Sequence, residues 1–272
     1  MERIASGYAL PEALRAADDG TLYFSDAERG GVFRLVNGTV ETLIPKRRGV
    51  GGLLLHRDGG VVVSGRSLIH VHDGVTRELF SEPNALGLND ITADASGGVL
   101  VGSIRMDWRD PANGLPGEVW RVGGPESTTL VAGEVDYPNG MALSADGGIL
   151  YVADYVGRCV HAFAIENDEL VSRSAFTVTD GGRPDGLAVD VEGGVWVAMG
   201  PLGTLDRYSS QGVLTERLQP PTSFVVTACF GGDEACDLYI ATANSSDRPE
   251  LEGSIFVTRS PVPGLRVGPA TI

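Results

Sequence analysis

A short phrase recurs along this chain and constrains its fold more than any other feature. Each copy has an acidic or small residue, then glycine, then a run of apolar residues. The copies, the last of them degenerate, lie at 19–26, 58–63, 96–101, 146–154, 192–197 and 236–241. Asp-Gly and Gly-Gly pairs favour tight hairpin turns, because such turns need residues at positive φ. The phrase therefore predicts a series of hairpins in one order along the chain.

The segments on either side of each copy are also alike. An apolar strand precedes the phrase, as at 140–144 and 186–190, with matching segments near Glu12, Gly51, Asn89 and Thr227. A third strand follows it, as at 31–35, 117–122 and 253–257, and then a more variable fourth, as at 40–43 and 214–218. Four antiparallel strands repeated at intervals of about 40–50 residues are typical of propeller blades.

We therefore predict an all-β fold, a six-bladed β-propeller that occupies residues 1–272 as one domain. The alternative is a β-sandwich followed by another unit, which does not explain six copies in one order. The last unit has strands at 226–230, 238–241 and 254–258 but no clear fourth strand. Residues 2–6 resemble the outer strand that precedes the other inner strands. We expect this N-terminal strand to complete the last blade, because closure of the ring removes an exposed edge.

The charge of the chain limits its partners. The formal net charge is −15, and an acidic surface repels the phosphate backbone of nucleic acids while it attracts cations. We expect a small-molecule substrate, no nucleic acid, no membrane, and a monomer or small homo-oligomer. The N-terminus has no apolar signal segment and no apolar run approaches 18 residues, so we expect a cytoplasmic protein, with a cleaved signal as the open alternative.

The cysteines give little indication of chemistry. Cys159, Cys229 and Cys236 are too few and too scattered for a disulfide framework, and none lies in a C-x-x-C pair. We expect none of them to have partners for nucleophilic work.

Polar residues collect where the predicted inner strands begin. They are Glu12, the pair Asn89-Asp90, Asn139 and Asp185, and they belong to four different blades. The inner strands of a propeller line its axis, so these side chains should meet at one mouth of the central channel. Oxygen ligands of this type suit hard cations. Any one of them could be a turn residue, but four in equivalent positions favour a metal site.

Three motifs carry a family resemblance, and they lie at 138–142, 183–190 and 226–232. Through them the chain resembles, over essentially its whole length, the SMP-30/gluconolactonase/luciferin-regenerating-enzyme family. The resemblance implies a central divalent metal, Ca²⁺ first and Zn²⁺, Mn²⁺ or Mg²⁺ as alternatives. It implies Glu12, Asn139 and Asp185 as metal ligands, with Asp185 also as general base. Asn89 would be a further ligand or a contact to substrate and metal-bound water, and Asp90 would support this cluster and contact substrate.

Two departures from the family pattern concern the substrate and the metal. Family members that hydrolyse sugar lactones carry an arginine two residues before the asparagine that matches Asn89, and this chain has Gly87 there. The family's Glu-Gly-Pro motif is altered to Glu12-Ala13-Leu14, which leaves the ligand intact. The first departure argues against gluconolactone itself as the substrate.

The segment 105–116 is a candidate for a lid over the channel mouth. It contains Arg105, Trp108 and Arg109, which could contact substrate, with one arginine replacing the one absent at position 87. A surface loop without a substrate role is the alternative. A second candidate lid is the segment 244–252. Gly87, Met106 and Trp108 together suggest a ligand less polar than a sugar lactone.

The predicted activity is metal-dependent hydrolysis of a lactone or related ester, with a carboxylate as general base for an activated water. No Gly-x-Ser-x-Gly motif or Ser/His/Asp arrangement supports a serine hydrolase. Organophosphate hydrolysis on the same site is a close alternative. A calcium- or ligand-binding propeller without hydrolase activity is the alternative from another class. A protein-interaction propeller lacks support, because the chain has no W-D repeats.

Overall fold

The strands form separate four-stranded sheets arranged around a central axis. The computed structural model describes residues 1–124, 127–167, 169–243 and 253–272. Within these ranges the chain forms six antiparallel sheets of four strands each, which confirms the six-bladed β-propeller. Each innermost strand contacts the innermost strands of the blades on both sides, so the ring is closed.

Blades 1 to 3 follow one another along the first half of the chain. Blade 1 consists of β2 (Pro11–Ala16), β3 (Leu22–Asp26), β4 (Val32–Val36) and β5 (Thr39–Ile44). Blade 2 consists of β6 (Leu53–Leu55), β7 (Val61–Val63), β8 (Leu68–His72) and β9 (Val75–Phe80). Blade 3 consists of β10 (Gly87–Ala93), β11 (Val99–Ile104), β12 (Gly117–Gly124) and β13 (Ser127–Val135).

Blades 4 to 6 complete the ring. Blade 4 consists of β14 (Pro138–Leu143), β15 (Ile149–Asp154), β16 (Cys159–Glu166) and β17 (Glu169–Val178). Blade 5 consists of β18 (Leu187–Val189), β19 (Val195–Ala198), β20 (Leu205–Tyr208) and β21 (Leu214–Leu218). Blade 6 consists of β22 (Val225–Gly231), β23 (Asp237–Thr242), β24 (Gly253–Arg259) and β1 (Glu2–Tyr8).

Helical structure in the described residues is confined to short turns. The described residues contain two 3₁₀ helices, Pro111–Asn113 and Asp233–Ala235. Across the same residues, no helix is long and apolar enough to cross a membrane.

The hydrophobic core lies between neighbouring blades. Leu54 and Val62 of blade 2, for example, pack in one cluster with Leu88, Ile91 and Val99 of blade 3. Inner strands are buried on both faces because each is covered by two neighbouring blades, whereas the outer strand β5 is mostly exposed. Polar side chains near the axis are therefore expected at the ends of the inner strands, where the neighbouring blades do not cover them.

The N-terminal strand closes the ring as the sequence predicts. β1 pairs with β24, and the order in blade 6 is β1-β24-β23-β22. At the end of β1, the Tyr8 ring packs against Phe24 of blade 1 with centroids 5.0 Å apart. β1 therefore joins the last blade to the first.

Removal of residues 1–6 tests the contribution of this closure. The shortened chain lacks most of β1 and exposes the backbone of β24 as an unpaired edge. We expect Tm to fall by about 5–10 °C, which corresponds to a few kcal/mol at this chain length, and aggregation to increase. Thermal melting with light scattering measures both. Glu2→Ser in the full-length chain is the control, and an unchanged Tm after removal would show that β1 does not hold the ring closed.

Candidate functional site

Three of the predicted site residues lie at irregularities in the inner strands. The pairing of inner and second strand shifts register after Glu12 in blade 1, after Leu88 in blade 3 and after Pro138 in blade 4. A β-bulge changes the direction in which a side chain points, and bulges are common beside active sites. The bulges therefore explain how Glu12, Asn89 and Asn139 can turn towards the axis from otherwise regular strands.

Glu12 and Asn89 approach each other beside Gly51 of blade 2. A methyl group at Gly51 would lie 2.2 Å from Asn89 Oδ1 and 3.2 Å from Glu12 Oε2. The Asn89 amide nitrogen donates a hydrogen bond to Pro138 O at 3.1 Å. This hydrogen bond fixes the orientation of the amide, so that Oδ1 faces Glu12. The glycine leaves room for both oxygens at the channel mouth.

Asn139 and Asp185 bring blades 4 and 5 to the same place. The Asn139 side chain lies beside the Asp185 carboxylate, where its amide acts to lower the pKa of that group against the larger effect of burial. Gly140 N donates to Asp185 O at 3.0 Å, and a methyl group at Gly140 would lie 2.4 Å from that oxygen. Gly140 lies inside β14, so the Asn-Gly pair serves the close approach of two blades and does not form a turn.

Asp90 follows Asn89 on β10 and lies on the side of the cluster that faces Arg15. It is buried, and its carboxylate accepts hydrogen bonds from Ile91 N at 2.8 Å and from Met141 N at 3.0 Å. The guanidinium of Arg15 lies 3.7 Å from Asp90 Oδ1 and donates to Ile91 O at 2.7 Å. Arg15 thus supplies the positive charge nearest to this carboxylate. Sequence reasoning assigned no role to Arg15, although it follows Glu12 by three positions on the same inner strand.

Arg15 also separates the site from a second opening. A cavity of about 420 Å³ lies at the other ends of the inner strands, where Leu54, Ala93 and Val189 contribute to its wall together with Arg15. The residues that line this cavity do not include Glu12, Asn89, Asn139 or Asp185. The polar cluster and this cavity therefore belong to opposite mouths of the channel.

The carboxylates of the cluster repel one another. Burial raises the pKa of Glu12 well above its usual value, and the charges of Asp185 and Asp90 raise it further. Burial also raises the pKa of Asp185 well above the ordinary range, against the lowering effect of the Asn139 amide. Burial likewise raises the pKa of Asp90, although Arg15 opposes the shift. In the described part of the chain, Arg15 pairs with Asp90, and no ion pair reaches Glu12 or Asp185.

The donor set fits a hard divalent cation. Two carboxylates and two amide oxygens converge from blades 1, 3, 4 and 5, and carboxylate and amide oxygens are the ligands that Ca²⁺ and Mg²⁺ take. A cation would relieve the mutual repulsion that raises the pKa values of Glu12 and Asp185. The residues predicted as ligands from the sequence thus lie together. Their carboxylates, Glu12 and Asp185, would be stabilised by a nearby positive charge.

Comparison with known proteins decides the family. The sequence profile of the SMP-30/Gluconolactonase/LRE-like region matches residues 10–244. This chain belongs to that family. It is 30% identical over 264 residues to a 6-deoxy-6-sulfogluconolactonase of Pseudomonas putida, with 89% of this chain and 88% of the relative covered. It is 29% identical over 242 residues to pentonolactonase XacC of Haloferax volcanii, with 83% and 78% covered.

A solved structure shows the same fold. The calcium-binding protein regucalcin from Agrobacterium tumefaciens superposes with a TM-score of 0.88 at 20% identity, covering 100% of this chain and 97% of that one. The match of the family profile over residues 10–244 confirms the resemblance to the SMP-30/gluconolactonase family inferred from the sequence motifs.

Two tyrosines of this family member line the mouth beside the polar cluster. Burial raises the pKa of Tyr155 to about 12, with further contributions from the charges of Asp185 and Glu12. Burial and the same two carboxylates raise the pKa of Tyr137 as well. Both phenols therefore stay protonated and can donate hydrogen bonds near the cluster. Sequence reasoning missed them, although Tyr137 lies two residues before Asn139.

Trp108 and Arg183 form the outer wall of this mouth. The Trp108 ring meets the Tyr155 ring edge-on, with centroids 5.8 Å apart. The Arg183 guanidinium lies 5.2 Å from the centre of the Tyr155 ring and 5.9 Å from that of Trp108. Arg183 was also missed, yet it lies two residues before Asp185.

The two arginines of the candidate lid have different surroundings. Arg109 stacks on Trp108, with 4.4 Å between the guanidinium carbon and the ring centre. Arg105 forms an ion pair with Glu118 of β12, and both side chains are mostly buried. The structure thus brings Trp108 and Arg109 to the wall of the mouth, whereas it engages Arg105 within blade 3. The second candidate lid, 244–252, lies outside the described residues.

Proposed function

We propose that this protein hydrolyses lactones with the help of one divalent cation, Ca²⁺ first, held by Glu12, Asn139, Asp185 and Asn89. The observation that carries the proposal is the convergence of these oxygen donors from four blades on one channel mouth, around carboxylates whose pKa values are raised. Two relatives that match most of this chain are lactonases by name. An all-oxygen donor set favours Ca²⁺, with Mg²⁺, Mn²⁺ or Zn²⁺ as alternatives.

The chemistry follows from the positions of the side chains. When bound, a divalent cation would polarise a carbonyl oxygen and lower the pKa of water. Asp185 takes the proton of the attacking water and returns it to the leaving alkoxide, so the ring opens without a covalent intermediate on the protein. The Asn139 amide and the contact of Asp185 O with Gly140 N hold this carboxylate in place.

Substrate is held on the open side of the cluster. Tyr137 and Tyr155 supply hydroxyl donors, and Trp108 offers a face on which a ring can stack. Arg109 and Arg183 lie at Trp108 and can bind a polar substituent of the substrate. Because Gly87 provides no arginine, we propose that these two replace it. The prediction that the preferred lactone is less polar than a sugar lactone stays a prediction.

A lactone panel tests the proposal. Metal-stripped protein and protein reloaded with Ca²⁺, Mn²⁺, Mg²⁺ or Zn²⁺ would be assayed by proton release on aliphatic, neutral sugar and acidic sugar lactones and on one organophosphate ester. We expect turnover only in reloaded protein. Absence of turnover in every form, with Ca²⁺ still raising Tm, would identify a binding propeller instead of a hydrolase. Turnover of an organophosphate ester but of no lactone would identify the protein as an organophosphate hydrolase that uses the same site. Sugar lactones, neutral or acidic, as the best substrates would contradict the preference for a less polar lactone.

Gly51→Ala tests whether the space beside Asn89 matters for the cation. The added methyl group would lie 2.2 Å from Asn89 Oδ1, so the amide must move away from residue 51. We expect Ca²⁺ affinity to fall by about 10–100-fold, the range seen when groups that orient metal ligands are disturbed. Gly87→Ala is the matched control, because a methyl group there meets only Gly65 O at 3.5 Å. Equal Ca²⁺ affinity in both variants, measured by calorimetry, would argue against Asn89 as a ligand.

A further inference from the structure

A second group of metal-ligating side chains lies in blade 4, outside the cluster at the axis. Asp154 ends β15 and Cys159 begins β16 directly opposite it. His161 is two residues further along β16, so its side chain points to the same face of the sheet as that of Cys159. One ligand atom from each of the three residues lies within 4.8 Å of the other two. The sequence predicted no partners for nucleophilic chemistry at Cys159, and the structure places Asp154 and His161 beside it.

The contact between His161 and Asp154 is longer than a well-formed hydrogen bond between charged partners. His161 Nε2 lies 3.5 Å from Cys159 Sγ and 3.4 Å from Asp154 Oδ2. A single ring nitrogen carries at most one proton, so it cannot donate fully to both partners. A charged N–H···O hydrogen bond would close to about 2.7–2.9 Å. The three ligand atoms nevertheless lie within 4.8 Å of one another.

We propose that Asp154, Cys159 and His161 form a second metal site, one for a divalent ion that accepts thiolate, such as Zn²⁺. Zinc binds sulfur at about 2.3 Å and nitrogen or oxygen at about 2.0–2.2 Å in tetrahedral geometry, which places neighbouring ligand atoms about 3.3–3.6 Å apart. The two distances from His161 Nε2 fall in that range. Three protein ligands leave the fourth position to a small ligand such as water.

The carboxylate of this site is held ready by the backbone. Asp154 is buried, and its Oδ1 accepts hydrogen bonds from Tyr137 N at 3.0 Å and Gly157 N at 2.8 Å. Its Oδ2 accepts Asp136 N at 2.9 Å and keeps a second lone pair on the side of His161. Cys159 is partly exposed, so an ion can reach the group from the surface.

Blade 1 shows that the fold does not require this cysteine and histidine. Asp26 has the same position in blade 1 that Asp154 has in blade 4. It accepts hydrogen bonds from Ala9 N and Leu10 N, which lie before the inner strand as Asp136 N and Tyr137 N do in blade 4. The residues that face it on the next strand, in the places of Cys159 and His161, are Gly31 and Phe33. The carboxylate is therefore a feature of the blade, whereas the thiol and imidazole beside it are particular to blade 4. This site has different donors from the oxygen cluster and does not depend on the proposed lactonase activity.

Cobalt(II) provides the direct test, because it replaces Zn²⁺ and gives a thiolate charge-transfer absorption band only when sulfur is bound. Metal-stripped full-length protein would be titrated with Co²⁺. We expect the band to appear in the wild type and to be lost in Cys159→Ser and in His161→Phe, which copies blade 1. It should persist in Asp185→Asn, which alters the axial cluster, and in Cys236→Ser, which removes another thiol.

Alkylation gives a second readout that needs no absorption band. Zn²⁺ should protect Cys159 of the folded protein from iodoacetamide, as seen by mass spectrometry, and His161→Phe should abolish that protection. The proposal is overturned if wild-type protein shows neither the band nor protection, or if the band survives in Cys159→Ser. Loss of the band in Cys236→Ser would show that it comes from another thiol and would equally overturn the proposal. Thermal melting of each variant verifies that it is folded.

Discussion

Replacing Asp185 by asparagine is expected to lower lactone turnover by about 10²–10⁴-fold, the usual contribution of a general acid–base group. Asparagine keeps the shape of the side chain and one oxygen that can face the Asn139 amide. It cannot take a proton from water at neutral pH. The variant should therefore fold normally and lose the chemical step.

The same substitution should raise the stability of the metal-stripped protein, although it lowers turnover. Asp185 is buried in a cluster in which Glu12 and Asp90 are also acidic, and the charges of Asp185 and Asp90 raise the pKa of Glu12. Removing one of these charges relieves repulsion that no cation relieves in metal-stripped protein. We expect metal-stripped Asp185→Asn to melt at a higher temperature than metal-stripped wild type, and to gain less in Tm when Ca²⁺ is added.

Asp73→Asn is the control for both effects, because the Asp73 side chain is 91% exposed and lies in blade 2 away from the cluster. It should leave turnover and Tm unchanged. If Asp185→Asn kept turnover within a few-fold of wild type, the general base would have to be another residue. Lower stability of the metal-stripped variant would show that the contact with the Asn139 amide outweighs the repulsion.

The fold could be predicted because each blade repeats the same local sequence pattern of a hairpin turn flanked by apolar strands. The hairpin phrases at 19–26 and 146–154 correspond to turns that lead into β3 and β15, and the copy at 236–241 leads into β23. Closure was also predictable, because a blade lacking its outer strand and an unassigned N-terminal strand complete each other. Turn chemistry and strand periodicity are local properties, and they repeat often enough for single ambiguities not to matter.

The axial cluster was predictable for a related reason. Position within the repeat specifies position around the axis, so the sequence alone was enough to place Glu12, Asn89, Asn139 and Asp185 at one mouth of the channel. The wall of the mouth was less accessible, because it depends on which loops fold over which blade. Trp108 of blade 3 meets Tyr155 of blade 4, and no pattern within either segment encodes that contact.

Two side chains show where residue type alone misleads. Arg105 belongs to the same loop as Arg109, yet it pairs with Glu118, which lies opposite Ser103 on the neighbouring strand. Strand register decides this pairing, and the register is known only once the hairpin is built. Cys159 looked inert in the sequence because its partners are 5 residues before it across a turn and 2 residues after it along the strand.

The largest expected effect on stability is that of Asp190→Ala in blade 5. Asp190 is fully buried, and its Oδ2 accepts hydrogen bonds from Trp196 Nε1 at 3.0 Å and Arg207 Nε at 2.7 Å. Its Oδ1 accepts Gly194 N at 2.8 Å, which fixes the turn between β18 and β19. Alanine would leave a buried indole N–H and a mostly buried guanidinium without this partner. Breaking a buried ion pair in this way costs about 3–5 kcal/mol.

Blade 3 provides a matched control for this substitution. Asp94 occupies the corresponding turn and binds Arg121 Nε at 2.6 Å, but its side chain is 16% exposed whereas that of Asp190 is 0% exposed. In Asp94→Ala, water can replace part of the hydrogen bonding that Arg121 loses. We therefore expect a clearly smaller loss of stability than in Asp190→Ala. Denaturant unfolding of both variants, followed by tryptophan fluorescence, measures the difference. Asp190 lies at the opposite end of β18 from Asp185, so turnover per folded molecule should stay unchanged. Equal losses in the two variants would mean that burial of the ion pair does not set its contribution, and reduced turnover in folded Asp190→Ala would mean that the turn positions the axial carboxylate.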